Sequence, residues 1–92
     1  MTYVLRYHPM VAEADLPKIP KNIQGRLARA IERRLATDPA GYGAPLRGSL
    51  RGYSKLRVGD YRIVFKIVGN EVQIFAILHR KHVYETASRR IE

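Results

Sequence analysis

Cysteine is absent from the 92 residues. Disulfides and thiolate chemistry are therefore excluded, and the composition fits a reducing compartment. Long apolar runs are absent too: nothing approaches the roughly 20 residues of a membrane-spanning helix. The opening MTYVLRYHPM lacks the basic-then-apolar layout of a secretory signal. The expectation is a soluble, cytoplasmic protein with no membrane partner. Metal-ligand clusters are also missing, because the histidines stand at positions 8, 79 and 82 with no carboxylate beside them in a ligand-like pattern. No Gly-Lys-Ser/Thr follows the glycines of AGYGAPLRGSLRG, so there is no phosphate loop. No Ser-His-Asp or Cys-His arrangement can be assembled. Neither a metal nor a cofactor is expected.

Negative charge is the scarcest commodity. Eight Asp and Glu stand against seventeen Lys and Arg, leaving +9. Such a field attracts polyanions: nucleic acid, an acidic protein or an anionic surface. The 46% hydrophobic content is that of a globular chain. Its length has room for a single core, so residues 1–92 are read as one domain.

TYVLRYH alternates and reads as a first strand, ended by Pro9. PMVAEADLPKIP reads as a short helix, with Met10, Ala14 and Leu16 sharing a face, stopped before Pro17. PKNIQGRLARAIERRLATDP is the clearest helix. Pro20 suits its first turn, Ile23, Leu27, Ile31 and Leu35 recur every four residues, and Pro39 ends it near Thr37-Asp38. Arg26, Arg29, Arg33 and Arg34 cover the rest of its surface, as a solvated face or as an RNA contact. AGYGAPLRGSLRG is a loop with Leu46 and Leu50 as anchors and Arg47 and Arg51 adding positive charge.

Three strand-like runs follow, YSKLRV, YRIVFKIV and EVQIFAILHR, separated by GD and GN. Two-residue loops that start with Gly predict an antiparallel meander. The last run, apolar almost throughout, is expected to be covered on both faces. The tail KHVYETASRRIE is compatible with a short strand or a short helix. The fold class is therefore α+β: an N-terminal strand, a helical hairpin, then a three-stranded antiparallel meander with a short C-terminal element.

Closing the first hairpin at Gly59-Asp60 sets Val58 against Tyr61, Arg57 against Arg62, Leu56 against Ile63 and Lys55 against Val64. Leu56, Val58, Tyr61, Ile63, Phe65 and Ile67 then face the helices. Tyr53, Lys55, Arg57, Arg62, Val64 and Lys66 face the other way. A like-charge pair directly opposed is destabilising by about a few tenths of a kcal/mol, so Arg57 and Arg62 make sense if an anion sits between them. Carried through Gly69-Asn70, the same register sets Lys66 against Gln73, Val64 against Phe75 and Arg62 against Ile77. His79 then ends the basic face. Arg80 reaches it only if the strand ends or bulges near His79-Arg80.

The order strand, helical hairpin, then LRG…YSKLRVGDYRIVFKI…VQIFAILHRKHVYE resembles the RelE/ParE toxin superfamily of bacterial and archaeal toxin–antitoxin systems, over nearly the whole chain. KLRVGDYRIVFKI and HRKHVY are the most specific stretches. The RelE branch cleaves messenger RNA in the ribosomal A site, and the ParE branch poisons DNA gyrase. The resemblance implies a type II toxin whose catalytic positions match Lys55, Arg57, Arg62, Arg80 and Tyr84. It departs at Tyr53, which stands where RelE carries the first of two lysines. Arg47, Arg51, Tyr53, Lys66, His79, Lys81 and His82 are the candidate RNA-binding residues. The implied partners are an acidic, RelB-like antitoxin, the ribosome and mRNA. A gyrase-inhibiting toxin that leaves RNA intact is the alternative, and a module that only binds its antitoxin is a third.

The chemistry needs a base for the ribose 2′-hydroxyl, cations for the phosphoryl oxygens and a proton for the departing 5′-oxygen. Lys55 is the candidate base, since neighbouring cations and burial under RNA favour a neutral amine. Arg62 can fork onto two phosphoryl oxygens with Arg57 in support. Arg80, always protonated, suits a phosphate clamp. His79 and His82 are candidate acids, because histidine is the side chain suited to proton transfer near neutral pH, or structural side chains. Tyr84 can stack on a base, protonate the leaving oxygen, or pack over the sheet edge.

Overall fold

Two glycines shape the sheet. In the computed structural model, which describes residues 2–91, Gly59 and Gly69 adopt φ of +59° and +61°, and no described non-glycine residue has positive φ. A left-handed first residue followed by an ordinary second is what a type II′ hairpin turn requires. These turns join β3 (Ser54–Val58), β4 (Tyr61–Val68) and β5 (Glu71–His79) into the expected meander.

The sheet is larger than the meander. β1 (Val4–Tyr7) lies parallel to β5, and a two-residue strand, β2 (Ala44–Pro45), pairs antiparallel with β3. The result is a mixed five-stranded sheet of order β1-β5-β4-β3-β2. The stretch read as a loop, AGYGAPLRGSLRG, thus contributes that strand, the short helix α2 (Pro39–Tyr42) capped by Asp38, and a 3₁₀ turn at Gly48–Leu50. Leu46 and Leu50 are buried, as anchors should be.

α1 (Lys21–Ala30) continues into a wider helical turn at Ile31–Leu35. Leu27, Ile31 and Leu35 are buried, with Ile23 half-buried beside them. The regular turns stop at Leu35, although Asp38 N–H still reaches Arg34 O at 2.9 Å. Preceding α1, the expected short helix forms as a π-type turn at Val11–Asp15, and a 3₁₀ turn at Leu16–Lys18 carries it past the stop expected before Pro17. Pro17 sits within the second turn, at an early position where its missing N–H leaves no gap. The buried face there is Val11 and Asp15, not Met10, Ala14 and Leu16. The C-terminal segment resolves as a helix, α3 (Val83–Ile91). Among the described residues no helix is long and apolar enough to cross a membrane.

Two apolar clusters sandwich the sheet. On one face Leu56, Ile63, Phe65, Val72, Ile74 and Ile77 meet Val11, Ile19, Leu27, Ile31 and Leu35. On the other, Val64, Phe75 and Ala76 meet Leu46, Leu50, Val83 and Ala87. β5 is therefore covered on both faces, which explains its unbroken apolar sequence. The larger cluster dominates burial, at about 1.5–3 kcal/mol for each large side chain. The smaller one seats α3 on the cationic side.

Candidate nucleic-acid interface and active site

The β3–β4 ladder has the register that the Gly59-Asp60 turn dictates. Val58 faces Tyr61, Arg57 faces Arg62, Leu56 faces Ile63 and Lys55 faces Val64. Since Val64 belongs to the cluster beneath α3, Lys55, Arg57 and Arg62 share that face of the sheet. Among the described residues neither Lys55 nor Arg57 has an ion-pair partner. Arg62 Nη1 donates to Gly59 O and Tyr61 O, both at 3.0 Å. That anchors the guanidinium to the hairpin tip and leaves its Nε–Nη2 edge as the fork an oxyanion can take. Tyr53 lies on Phe75 with ring centroids 4.9 Å apart, and the Lys66 ammonium sits 5.5 Å from the Tyr53 ring centre. Tyr53 thus continues the face as a flat platform.

The β4–β5 ladder departs from uniform alternation. Lys66 faces Gln73 as expected, but the register slips between Val64 and Phe65. Phe65 pairs with Ile74 and Val64 with Ala76, so Phe75 is the extra residue of a β-bulge. The expected partners Phe75 for Val64 and Ile77 for Arg62 are therefore corrected to Ala76 and Leu78. The slip moves two candidates. His79 pairs with Tyr61 and leaves the basic face for the helix side, contrary to expectation. Alternation from Leu78 carries Arg80 toward the Arg62 side, with its N–H on Asp60 O at 2.8 Å and its Nε 3.8 Å from the Asp60 carboxylate. The bulge lies at Phe75, ahead of the His79-Arg80 step where an irregularity was expected.

A buried ion pair, which the sequence reading missed, holds β5 where β1 no longer covers it. Arg90 donates from Nη1 and Nη2 to the two Asp15 carboxylate oxygens, both at 2.8 Å, and from Nη1 to Phe75 O at 3.0 Å. Asp15 also accepts the Ile77 N–H at 2.9 Å. The side chains of Arg90 and Asp15 are only 7% and 3% exposed. Every charge in this pair is matched, and it ties α3 to the turn after β1.

The remaining candidates spread around the face. Val83 and Ala87 bury α3 against Val64 and Ala76, which leaves Tyr84 exposed at 53% on the helix over the cationic side. Arg47 and Arg51 are exposed on the loop that Leu46 and Leu50 pin down. Lys81 is exposed, with its backbone N–H on His79 Nδ1 at 3.3 Å. His79 and His82, with rings 6.3 Å apart, line a separate cavity beside Tyr61. Fold and register bring together Lys55, Arg57, Arg62, Lys66 and Tyr53. They direct Arg80 and Tyr84 to the same side and send the two histidines elsewhere.

Comparison with known proteins agrees with this architecture. Residues 5–84 match the family model of the ParE toxin of the type II toxin–antitoxin system parDE. Toxin RelE of Mycobacterium tuberculosis is 32% identical over 83 residues, covering 85% of this chain and 86% of that protein. Toxin RelG of the same organism is 31% identical over 86 residues, covering 91% and 98%. A crystal structure of the M. tuberculosis toxin–antitoxin complex RelBE2 superposes with a TM-score of 0.80 at 29% identity, over 87% of this chain and 93% of that one.

Proposed function

This chain belongs to the ParE toxin family of type II toxin–antitoxin systems and is RelE-like, and on that premise we propose that it is a ribosome-dependent endoribonuclease that cuts translated messenger RNA in the cytoplasm. One observation carries the reading: Arg57 and Arg62 face each other across the ladder, with Lys55 on the same face and no carboxylate partner for any of the three among the described residues. A fold that places like charges opposite one another without a counter-charge is built to receive an anion.

In the proposed reaction Lys55 takes the proton of the ribose 2′-hydroxyl. The 2′-oxygen then bonds to phosphorus and the phosphorus–5′-oxygen bond breaks, leaving a 2′,3′-cyclic phosphate and a 5′-hydroxyl. Arg62 presents its free edge to two phosphoryl oxygens as charge develops there, and Arg57 adds a second cation. Arg80 exchanges its exposed contact with Asp60 for a neighbouring phosphate. Tyr84 either stacks on an unstacked base, with water then supplying the proton for the departing 5′-oxygen, or gives its own hydroxyl proton to that oxygen. No step needs a metal. Between episodes of activity an acidic antitoxin covers the face, as the toxin–antitoxin complexes among the structural relatives suggest.

The match to the ParE model keeps a second reading in view, a toxin that inhibits DNA gyrase and leaves RNA intact. Inducing the protein and mapping transcript 5′ ends separates the two. Cuts within translated codons, lost in Lys55→Ala and Arg62→Ala, support the nuclease. Intact transcripts accompanied by DNA breaks support the gyrase inhibitor.

A further inference from the structure

We propose that the cavity between the turn Val11–Asp15, the end of β5 and the start of α3 binds an unstacked nucleobase of single-stranded RNA. It lies beyond the cationic face and depends on the nuclease reading only for the identity of the strand that passes over it. Its volume is about 380 Å³, within the roughly 300–1,000 Å³ of small-molecule sites. Ile19 and Ile77 form an apolar floor, and Tyr61, His79 and His82 supply flat walls. Tyr61 meets His79 edge-on at 5.6 Å and 81°, which leaves ring faces available for stacking.

The polar groups are donors suited to the edge of a base. His79 Nδ1 accepts the Lys81 N–H, so the neutral ring carries its proton on Nε2 as a donor. Lys18 and Thr86 add an ammonium and a hydroxyl to the lining. The Asp15–Arg90 pair at the back is satisfied internally and brings no net charge. Chain order joins this cavity to the phosphate path. Arg80 directly follows His79, and adjacent residues at a strand end turn to opposite sides, about 3.3 Å apart along the chain. A strand whose phosphate sits on Arg80 therefore reaches the rings by passing round the end of β5, and the base held among them belongs to a neighbouring nucleotide. An acidic protein segment is the competing occupant, because an apolar floor with a cationic rim would also suit it.

The test follows the His79 and His82 imidazole resonances of the full chain while adenosine and uridine 5′-monophosphates are added, with inorganic phosphate and an oligoglutamate peptide as separate probes. The expected result is a saturable shift with nucleotides, well above that with phosphate, and its loss in Ala14→Trp, which fills the cavity. Thr86→Val removes one hydroxyl with little change of shape, and is expected to weaken nucleotide binding by roughly two- to tenfold. That variant keeps the proposal open to refutation should Ala14→Trp misfold. Equal shifts with phosphate, shifts only with oligoglutamate, or nucleotide affinity unchanged in Thr86→Val would each overturn it. The outcome is separable from the nuclease reading: a cavity indifferent to nucleotides leaves Lys55-dependent cutting intact, and uncut transcripts leave the titration to decide the cavity.

Discussion

Arg90 sits behind β5 with two nitrogens on the Asp15 carboxylate and one of them also on Phe75 O. Arg62, also partly buried, has two backbone carbonyls at the hairpin tip and another arginine as its cross-strand neighbour. The two regions use the same side chain to opposite ends. Where the fold needs a cation to close the edge of β5, the sequence provides a carboxylate 75 positions away. Where it needs none, Lys55, Arg57, Arg62 and Lys66 gather on a face and their counter-charge is left to come from outside. The first arrangement belongs to stability, the second to binding.

The sharpest way to break this comparison is at Arg90. Removing one partner of a buried pair strands the other, so Arg90→Ala should lower the unfolding free energy by about 3–5 kcal/mol, read from the urea midpoint. Replacing both partners with apolar residues, Asp15→Leu with Arg90→Met, should recover only part of that loss, because Ile77 N–H and Phe75 O lose their side-chain partners. At the other region the effects should reverse. Lys55→Ala and Arg62→Ala should each reduce cleavage by about 10²–10³-fold, with unfolding free energy changed by less than about 1 kcal/mol. An Arg62→Ala protein that unfolds would place Arg62 with the structural arginines. Salt sharpens the contrast further: binding to single-stranded RNA should weaken steeply as salt rises, with a logarithmic slope reduced by about 0.7 in Arg62→Ala. Arg33, exposed on the helical turn after α1, is expected to matter least. Arg33→Gln should keep cleavage within about twofold of the parent protein.

The cationic hairpin was legible in the sequence because a two-residue turn leaves no freedom in pairing. Once Gly59-Asp60 closes the loop, alternation of Leu56, Ile63 and Phe65 toward the helices sends Lys55, Arg57 and Arg62 to the other side. The bulge at Phe75 was not legible, and neither was the position of His79. EVQIFAIL buries apolar side chains on both faces, so a one-residue slip exposes nothing and leaves no mark in the pattern. The parallel pairing of β1 with β5 carries no local turn signal. The Asp15–Arg90 pair joins residues remote in the chain. Its only trace was an aspartate four residues after Val11, on a helical face that proves to be buried.

The central claim, that Arg57 and Arg62 oppose each other in order to hold an external anion, is tested most directly by the stability of Arg57→Gln with and without a single-stranded RNA oligonucleotide. The account predicts that in dilute buffer the variant is as stable as the parent or more stable by a few tenths of a kcal/mol, and that the oligonucleotide raises the parent's melting temperature more than the variant's. A destabilised variant, together with a parent whose melting temperature does not respond to the oligonucleotide, would contradict it.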